Sequence, residues 1–132
     1  RGGVNTILLA DYGLQLYSNG ITVTDDYLAR SPEHVRGFVA ASLKGFERAF
    51  EQPDEAIEAV LKHAPTLDPA IVRAELAIVQ ELVVTPDARV HGIGWMDPEK
   101  VRQTRDTLVE ALDIANPALA EDLYTNAFLP KR

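Results

Sequence analysis

The sequence predicts an α/β protein, of which this chain supplies a mostly α-helical part with two or three short strands near its N-terminus. Residues 4–10 form a short apolar run, and residues 21–24 form a β-branched run with period-two alternation; both patterns are typical of strands. Helix signals dominate the rest of the chain. Because an isolated pair of strands is marginal in water, we expect the chain to be the later part of a larger protein, beginning just before a strand.

Helix starts are marked by a repeated dipeptide in which a capping residue precedes proline. The capping side chain can accept an amide hydrogen bond from the first turn, and proline at the first helical position loses no hydrogen bond. The pattern occurs at Ser31–Pro32, Asp68–Pro69, Asp97–Pro98 and Asn116–Pro117, and more weakly at Gln52–Pro53. It predicts the first residues of five helices.

Apolar residues at the helical period extend these starts into four long helices. We predict them at Pro32–Glu51, Pro53–His63, Pro69–Val83 and Pro98–Leu112. The third of these helices has so broad an apolar face that we expect it to be packed on two sides. Residues 86–97 are predicted to form a loop, and a last short helix to follow residues 116–117. The apolar tail, residues 123–130, is expected to lie against a folded body.

Composition restricts the classes of function. The 132 residues are 46% hydrophobic and 25% charged, as expected for one globular domain. A formal net charge of −7 argues against a nucleic-acid partner, because phosphate neutralisation requires clustered Lys and Arg. The lack of cysteine excludes disulfides and cysteine-ligated metals. No apolar run approaches the roughly 20 residues of a membrane span, and residues 1–3 resemble the ragged start of a fragment rather than a targeting signal.

The sequence predicts no catalytic residue, metal or cofactor in this chain. The three histidines are His34, His63 and His91. None pairs with another at helical spacing, so no helix face offers two imidazole ligands. Residues 92–97 begin like a dinucleotide-binding fingerprint, but Asp97 replaces its third glycine. We predict instead a turn that lets Trp95 fold back on the core. Adjacent carboxylates are interpreted as solvated charges at helix edges.

The candidate binding site is the polar, aromatic segment between the two strand-like runs, residues 11–20. An α/β sheet places its ligand-binding loops beyond the carboxyl ends of its strands. Tyr12 and Tyr17 could stack on a planar ligand, and Asp11 and Asn19 could orient it by hydrogen bonds. The alternative, which the residue types leave open, is a connecting loop whose tyrosines cover the edge of a core.

The same segment resembles the late part of the solute-binding proteins of ABC importers. The resemblance rests on Asp11-Tyr12-Gly13 and on residues 16–24, 27–33, 35–42, 53–56, 94–99 and 123–130, in this order and spacing. The chain most resembles the subgroup that handles pyrimidine precursors of thiamine, with sulfonate and nitrate binders as relatives.

The resemblance implies a two-lobed, type II periplasmic-binding-protein fold in the parent protein, with the solute held between the lobes. Residues 1–24 would form the end of the second lobe and a hinge strand, for which residues 16–24 are the candidate. Residues 25–132 would be the helical C-terminal portion that packs on the first lobe.

The resemblance also implies a function: the extracytoplasmic solute-binding component of an ABC importer, which binds a small planar polar solute such as a pyrimidine precursor of thiamine. Its partners would be that solute and an ABC permease, and it would be periplasmic or anchored outside the membrane. Alternatives are a pyrimidine-forming enzyme of the same fold, with its reactive residues upstream, a sulfonate or nitrate binder, and a self-contained helical interaction module. A fragment that exposes surface meant for a missing sheet should form a homo-oligomer, most simply a symmetric dimer.

Overall fold

Helices make up most of the computed structural model, which describes residue 5 and residues 7–131. Within these residues there are six α-helices and two short 3₁₀ helices. The α-helices are α1 (Asp25–Arg30), α2 (Pro32–Glu51), α3 (Pro53–His63), α4 (Pro69–Val83), α5 (Pro86–His91) and α6 (Pro98–Leu112). The 3₁₀ helices are Leu9–Tyr12 and Ala120–Asp122.

The four long helices, α2, α3, α4 and α6, have the predicted bounds, and each has proline in its first turn. Asp68 and Asp97 cap their helices as expected, since their carboxylates accept the amide hydrogens of Ala70 and Glu99. Ser31 makes no side-chain cap hydrogen bond, so its predicted capping role is wrong. The proline signal alone was enough to locate the start of α2.

The predicted N-terminal strands are absent from the described part of the chain, and this prediction is wrong. Leu9–Tyr12 forms a 3₁₀ helix where the first strand was expected, while Val4 and Thr6 of that run lie outside the described residues. Residues 21–24 belong to no helix or strand; Thr24 has extended backbone angles. A strand is stabilised by hydrogen bonds to a neighbouring strand, and no such neighbour exists among the described residues.

Two short helices were not predicted. In α1, Thr24 accepts the amide hydrogen of Tyr27, and two aspartates occupy the first turn. In α5, which lies inside the predicted loop 86–97, Thr85 accepts the amide hydrogen of Ala88.

The predicted helix after residues 116–117 is misplaced. Asn116 has a left-handed φ of 53°, and only the 3₁₀ helix Ala120–Asp122 follows it.

The chain divides into two units, which are described separately. The second unit comprises Val23–Trp95 and the residues from Ala127 onwards. Its core is Val35, Val39 and Leu43 on α2, against which Leu28, Ile93, Phe128 and Leu129 pack. Phe128 and Leu129 therefore confirm that the apolar tail lies against a folded body.

Arg36 fixes that tail to α2. Its guanidinium donates to the Ala127 carbonyl at 3.0 Å and lies 5.0 Å from the centre of the Phe128 ring. A cation over an aromatic face is attracted by the electrons of the ring. One arginine thus holds both the backbone and a side chain of the C-terminal segment.

The turn after α5 depends on two glycines with left-handed φ, Gly92 (102°) and Gly94 (88°). It returns the half-buried Trp95 to α5, where its ring stacks on His91 with centres 4.1 Å apart. A β-carbon at Gly94 would lie only 2.9 Å from a methyl group of Leu43. Gly94 is therefore required by its φ and by its close approach to the core.

One face of α4 is uncovered in this chain. Ile71, Ile78 and Leu82 are 57%, 57% and 72% exposed, and none of the helix's residues is fully buried. The predicted packing of α4 on two sides is thus wrong for the described residues. The helix contacts α3, and its second apolar side faces solvent.

Candidate functional site

Tyr17 is the candidate site residue for which the structure gives the most contacts. It belongs to the first unit, which comprises the residues up to Thr22 and Met96–Asn126. Its backbone N–H donates to Thr104 Oγ1 at 3.0 Å, and its hydroxyl accepts the backbone N–H of Asp97 at 2.9 Å. Tyr17 is half-buried and is held by the first two turns of α6.

The N-terminus of α6 explains why the phenol is held there. The first amides of a helix have no partner within the helix. The Asp97 carboxylate accepts the amide hydrogen of Glu99 at 3.0 Å, and the Tyr17 hydroxyl accepts that of Asp97 itself. The ammonium of Lys100 lies 4.8 Å from the centre of the Tyr17 ring. Local helix chemistry therefore positions the aromatic ring.

The loop before Tyr17 is attached to the same helix. Gly13, with a φ of 87°, ends the 3₁₀ helix Leu9–Tyr12. Its carbonyl accepts a hydrogen bond of 3.1 Å from the Gln103 side chain. Contacts at Gly13 and Tyr17 thus hold both ends of this short segment along α6.

Asn126 completes this region and was missed by sequence reasoning. Its side-chain oxygen accepts the Met96 N–H at 3.0 Å, while its amide donates to the Met96 carbonyl at 2.9 Å. This two-bond pairing holds the segment before α6 beside the C-terminal stretch. In the sequence, the signal that could have indicated this role is a polar asparagine within a largely apolar tail, because such a side chain needs hydrogen-bond partners if it is buried.

A groove of about 150 Å³ opens beside Tyr17, within this one unit. Its walls include Tyr17, Met96, Thr104, Arg105, Leu108 and Tyr124. The Arg105 side chain is only a quarter exposed; its guanidinium donates to the Ala118 carbonyl at 3.0 Å and pairs with Asp106. The groove therefore combines two aromatic rings and aliphatic surface with one cation.

The other predicted site residues lie on the surface. Asp11 and Tyr12 share the 3₁₀ helix Leu9–Tyr12, and Tyr12 is 79% exposed. Asn19 is exposed in the segment that follows Tyr17. Of the four candidates, Tyr17 alone is a wall of the groove, so the structure does not gather all four around that groove.

Residue 5 and residues 7–131 contain no group of three or more His, Asp or Glu side chains placed to hold a metal ion. In the same residues, every helix is too short or too polar to cross a bilayer.

Known proteins resemble this chain over nearly its whole length. The riboflavin-binding protein RibY of Chloroflexus aurantiacus is 30% identical over 130 residues, which cover 96% of this chain and 37% of that protein. The formylaminopyrimidine-binding protein of Halalkalibacterium halodurans is 28% identical over 121 residues, which cover 88% of this chain and 36% of that protein. The chain thus spans little more than a third of the curated relatives it matches, and both are named as binding proteins.

A family-level match covers the N-terminal part of the chain. Residues 3–56 match the family described as NMT1/THI5 like. This match and the two named binding proteins confirm the resemblance identified from the motifs of the chain. No solved structure matches the chain significantly.

Proposed function

We propose that this chain is part of an extracytoplasmic solute-binding component of an ABC importer, and that its solute is a small planar polar heterocycle. The observation that carries the proposal is the pair of relatives named for riboflavin and formylaminopyrimidine. Both compounds contain a pyrimidine ring, so a pyrimidine precursor of thiamine fits the same chemistry. The relatives' names favour binding over the alternative of a pyrimidine-forming enzyme.

The candidate residues take different roles in this proposal. Tyr17, fixed by α6, offers a rigid aromatic surface for the solute ring. Tyr12 is exposed and free to stack over a ring that is already bound. Asp11 and Asn19 supply a carboxylate and an amide to orient its polar edge. In a protein as long as the relatives, residues outside the matched region would supply the remaining contacts.

We further propose that residues 16–24, although they form no strand among the described residues, are the hinge segment between two lobes, with residues 1–24 closing the second lobe and residues 25–132 packing on the first. Lobe closure around a ligand concentrates its backbone changes in a few residues. The boundary between the two units after Thr22 falls inside this segment and supports a hinge there, while Met96–Asn126 belong to the same unit as the residues before that boundary. The closed form would then engage an ABC permease outside the cytoplasm.

Isothermal titration of the complete gene product tests the solute. We expect heat with formylaminopyrimidine or riboflavin and none with an alkyl sulfonate. Tyr12→Ala should weaken binding about fivefold, because stacking on an aromatic ring contributes on the order of 1 kcal/mol. The matched control is Tyr27→Ala, at an exposed tyrosine outside the candidate segment. Tight binding of the sulfonate with no heat from either heterocycle would replace this proposal with the sulfonate-binder alternative.

Self-association of the 132-residue chain is a separate proposal. It rests on the uncovered apolar side chains of α4, which water solvates poorly. Size-exclusion chromatography with light scattering at low micromolar concentration should give the mass of a dimer. A monomer at that concentration would contradict this proposal and leave the solute-binding role untouched.

A further inference from the structure

We infer that the groove beside Tyr17 is a subsite for a single six-membered nitrogen heterocycle, with Arg105 facing an acceptor atom of that ring. This inference deepens the proposed function and rests on it. It names residues of α6 and of the C-terminal stretch, which the sequence did not single out, as contacts for the solute.

The volume of the groove suits a single ring. The groove measures about 150 Å³, and a protein cavity of about that volume accommodates benzene. It is too small for a multi-ring compound to enter completely. One ring of a larger solute would fill it, while the rest of the solute lay outside.

The side chains that line the groove also suit an aromatic ring. Tyr17 and Tyr124 offer aromatic surface, and aromatic rings attract one another in stacked or edge-to-face arrangements. Met96 contributes a polarisable side chain that adapts to the outline of a ring. Because α6 holds Tyr17 at both its amide and its hydroxyl, this wall does not have to be ordered when a ligand binds.

The charged side chain of Arg105 favours a heterocycle over a hydrocarbon as the ligand of the groove. The Arg105 guanidinium has five N–H donors. Its two described contacts, with the Ala118 carbonyl and the Asp106 carboxylate, involve Nε and Nη1, so donors on Nη2 can face the groove. Lys100 adds a second positive charge beside Tyr17. These N–H donors complement the ring nitrogens and carbonyl oxygens of a pyrimidine.

The test uses the isotope-labelled chain and a one-ring probe, 4-amino-2-methylpyrimidine, at millimolar concentration. Amide resonances of Val101, Leu108 and Leu123, which border the groove, should shift on titration. Leu108→Trp fills the groove and should weaken the probe at least about tenfold. Leu112→Trp is the matched control, since Leu112 lies one turn further along α6, is 66% exposed and does not line the groove.

Arg105→Met tests the charge argument. It should weaken the pyrimidine probe at least about tenfold, because the probe loses a hydrogen bond to a charged donor. It should leave toluene, a probe of similar size without acceptors, nearly unchanged. An equal loss for both probes would mean that Arg105 only supports the groove through its bond to the Ala118 carbonyl.

The outcomes separate this inference from the proposed function. The subsite would be overturned if Leu108→Trp did not weaken binding of the probe. It would also be overturned if the resonance shifts were confined to other residues. The absence of any shift would overturn it as well. In each case the solute-binding role is decided independently, by titration of the complete gene product with formylaminopyrimidine or riboflavin.

Discussion

Replacing Gly94 by alanine should destabilise the second unit by about 3 kcal/mol. A φ of 88° costs a non-glycine residue roughly 1–3 kcal/mol. The new β-carbon would also lie 2.9 Å from Leu43 Cδ2 and 3.4 Å from Leu129 Cδ2. Leu43 must then move within the α2 core, and overpacking costs about 1–3 kcal/mol. Loss of unfolded-state entropy offsets about 0.4–1 kcal/mol of these costs.

Urea unfolding monitored by far-ultraviolet circular dichroism measures this change, with two glycine controls. Gly13 has almost the same φ, 87°, but nothing lies within 4 Å of a β-carbon there, so Gly13→Ala should show only the backbone cost. Gly45 lies inside α2 in open space, so Gly45→Ala should stabilise by about 0.5–1 kcal/mol. If Gly94→Ala were as stable as the unsubstituted chain, the reasoning from φ and close approach would be refuted.

The other predictions concern single hydrogen bonds. Tyr17→Phe leaves the Asp97 amide without its acceptor and should cost about 1 kcal/mol in urea unfolding; an unchanged stability would mean that water replaces the phenol. Asp97→Ala should also cost about 1 kcal/mol, whereas Ser31→Ala, at a position without a cap hydrogen bond, should be nearly neutral; equal losses would contradict the cap assignment. Arg36→Met removes the donor to the Ala127 carbonyl, so amide exchange in the C-terminal segment should accelerate several-fold while that of α3 does not.

The long helices were predictable because their signals are local. Proline at the first helical position, a preceding cap and an apolar period all lie within one stretch of sequence. The short helix α5 was missed for a related reason. Pro86 follows closely on the end of α4, as expected of a residue that cannot continue a helix, but it is also the first residue of α5, which Thr85 caps. A single proline can end one helix and begin the next.

The strands and the contacts of the site were not predictable in the same way, because they depend on distant residues. An apolar or β-branched run becomes a strand only when a neighbour completes its hydrogen bonds, and the described residues contain none. The hydrogen bonds of Tyr17 reach residues 80 and 87 positions away. Residue types suggested an aromatic surface at Tyr17 without revealing which helix would hold it.

The attachment of Tyr17 to α6 restricts where the proposed hinge can bend. A residue bonded to one helix through both its amide and its hydroxyl moves with that helix. The backbone changes of lobe closure would therefore occur after Tyr17, in residues 18–24, which are all exposed. Under this proposal Asn19 would lie in the part that bends, whereas Tyr17 would stay with α6. Closure would then bring Asn19 towards a ring already resting against Tyr17, so the two residues would act at successive steps of binding.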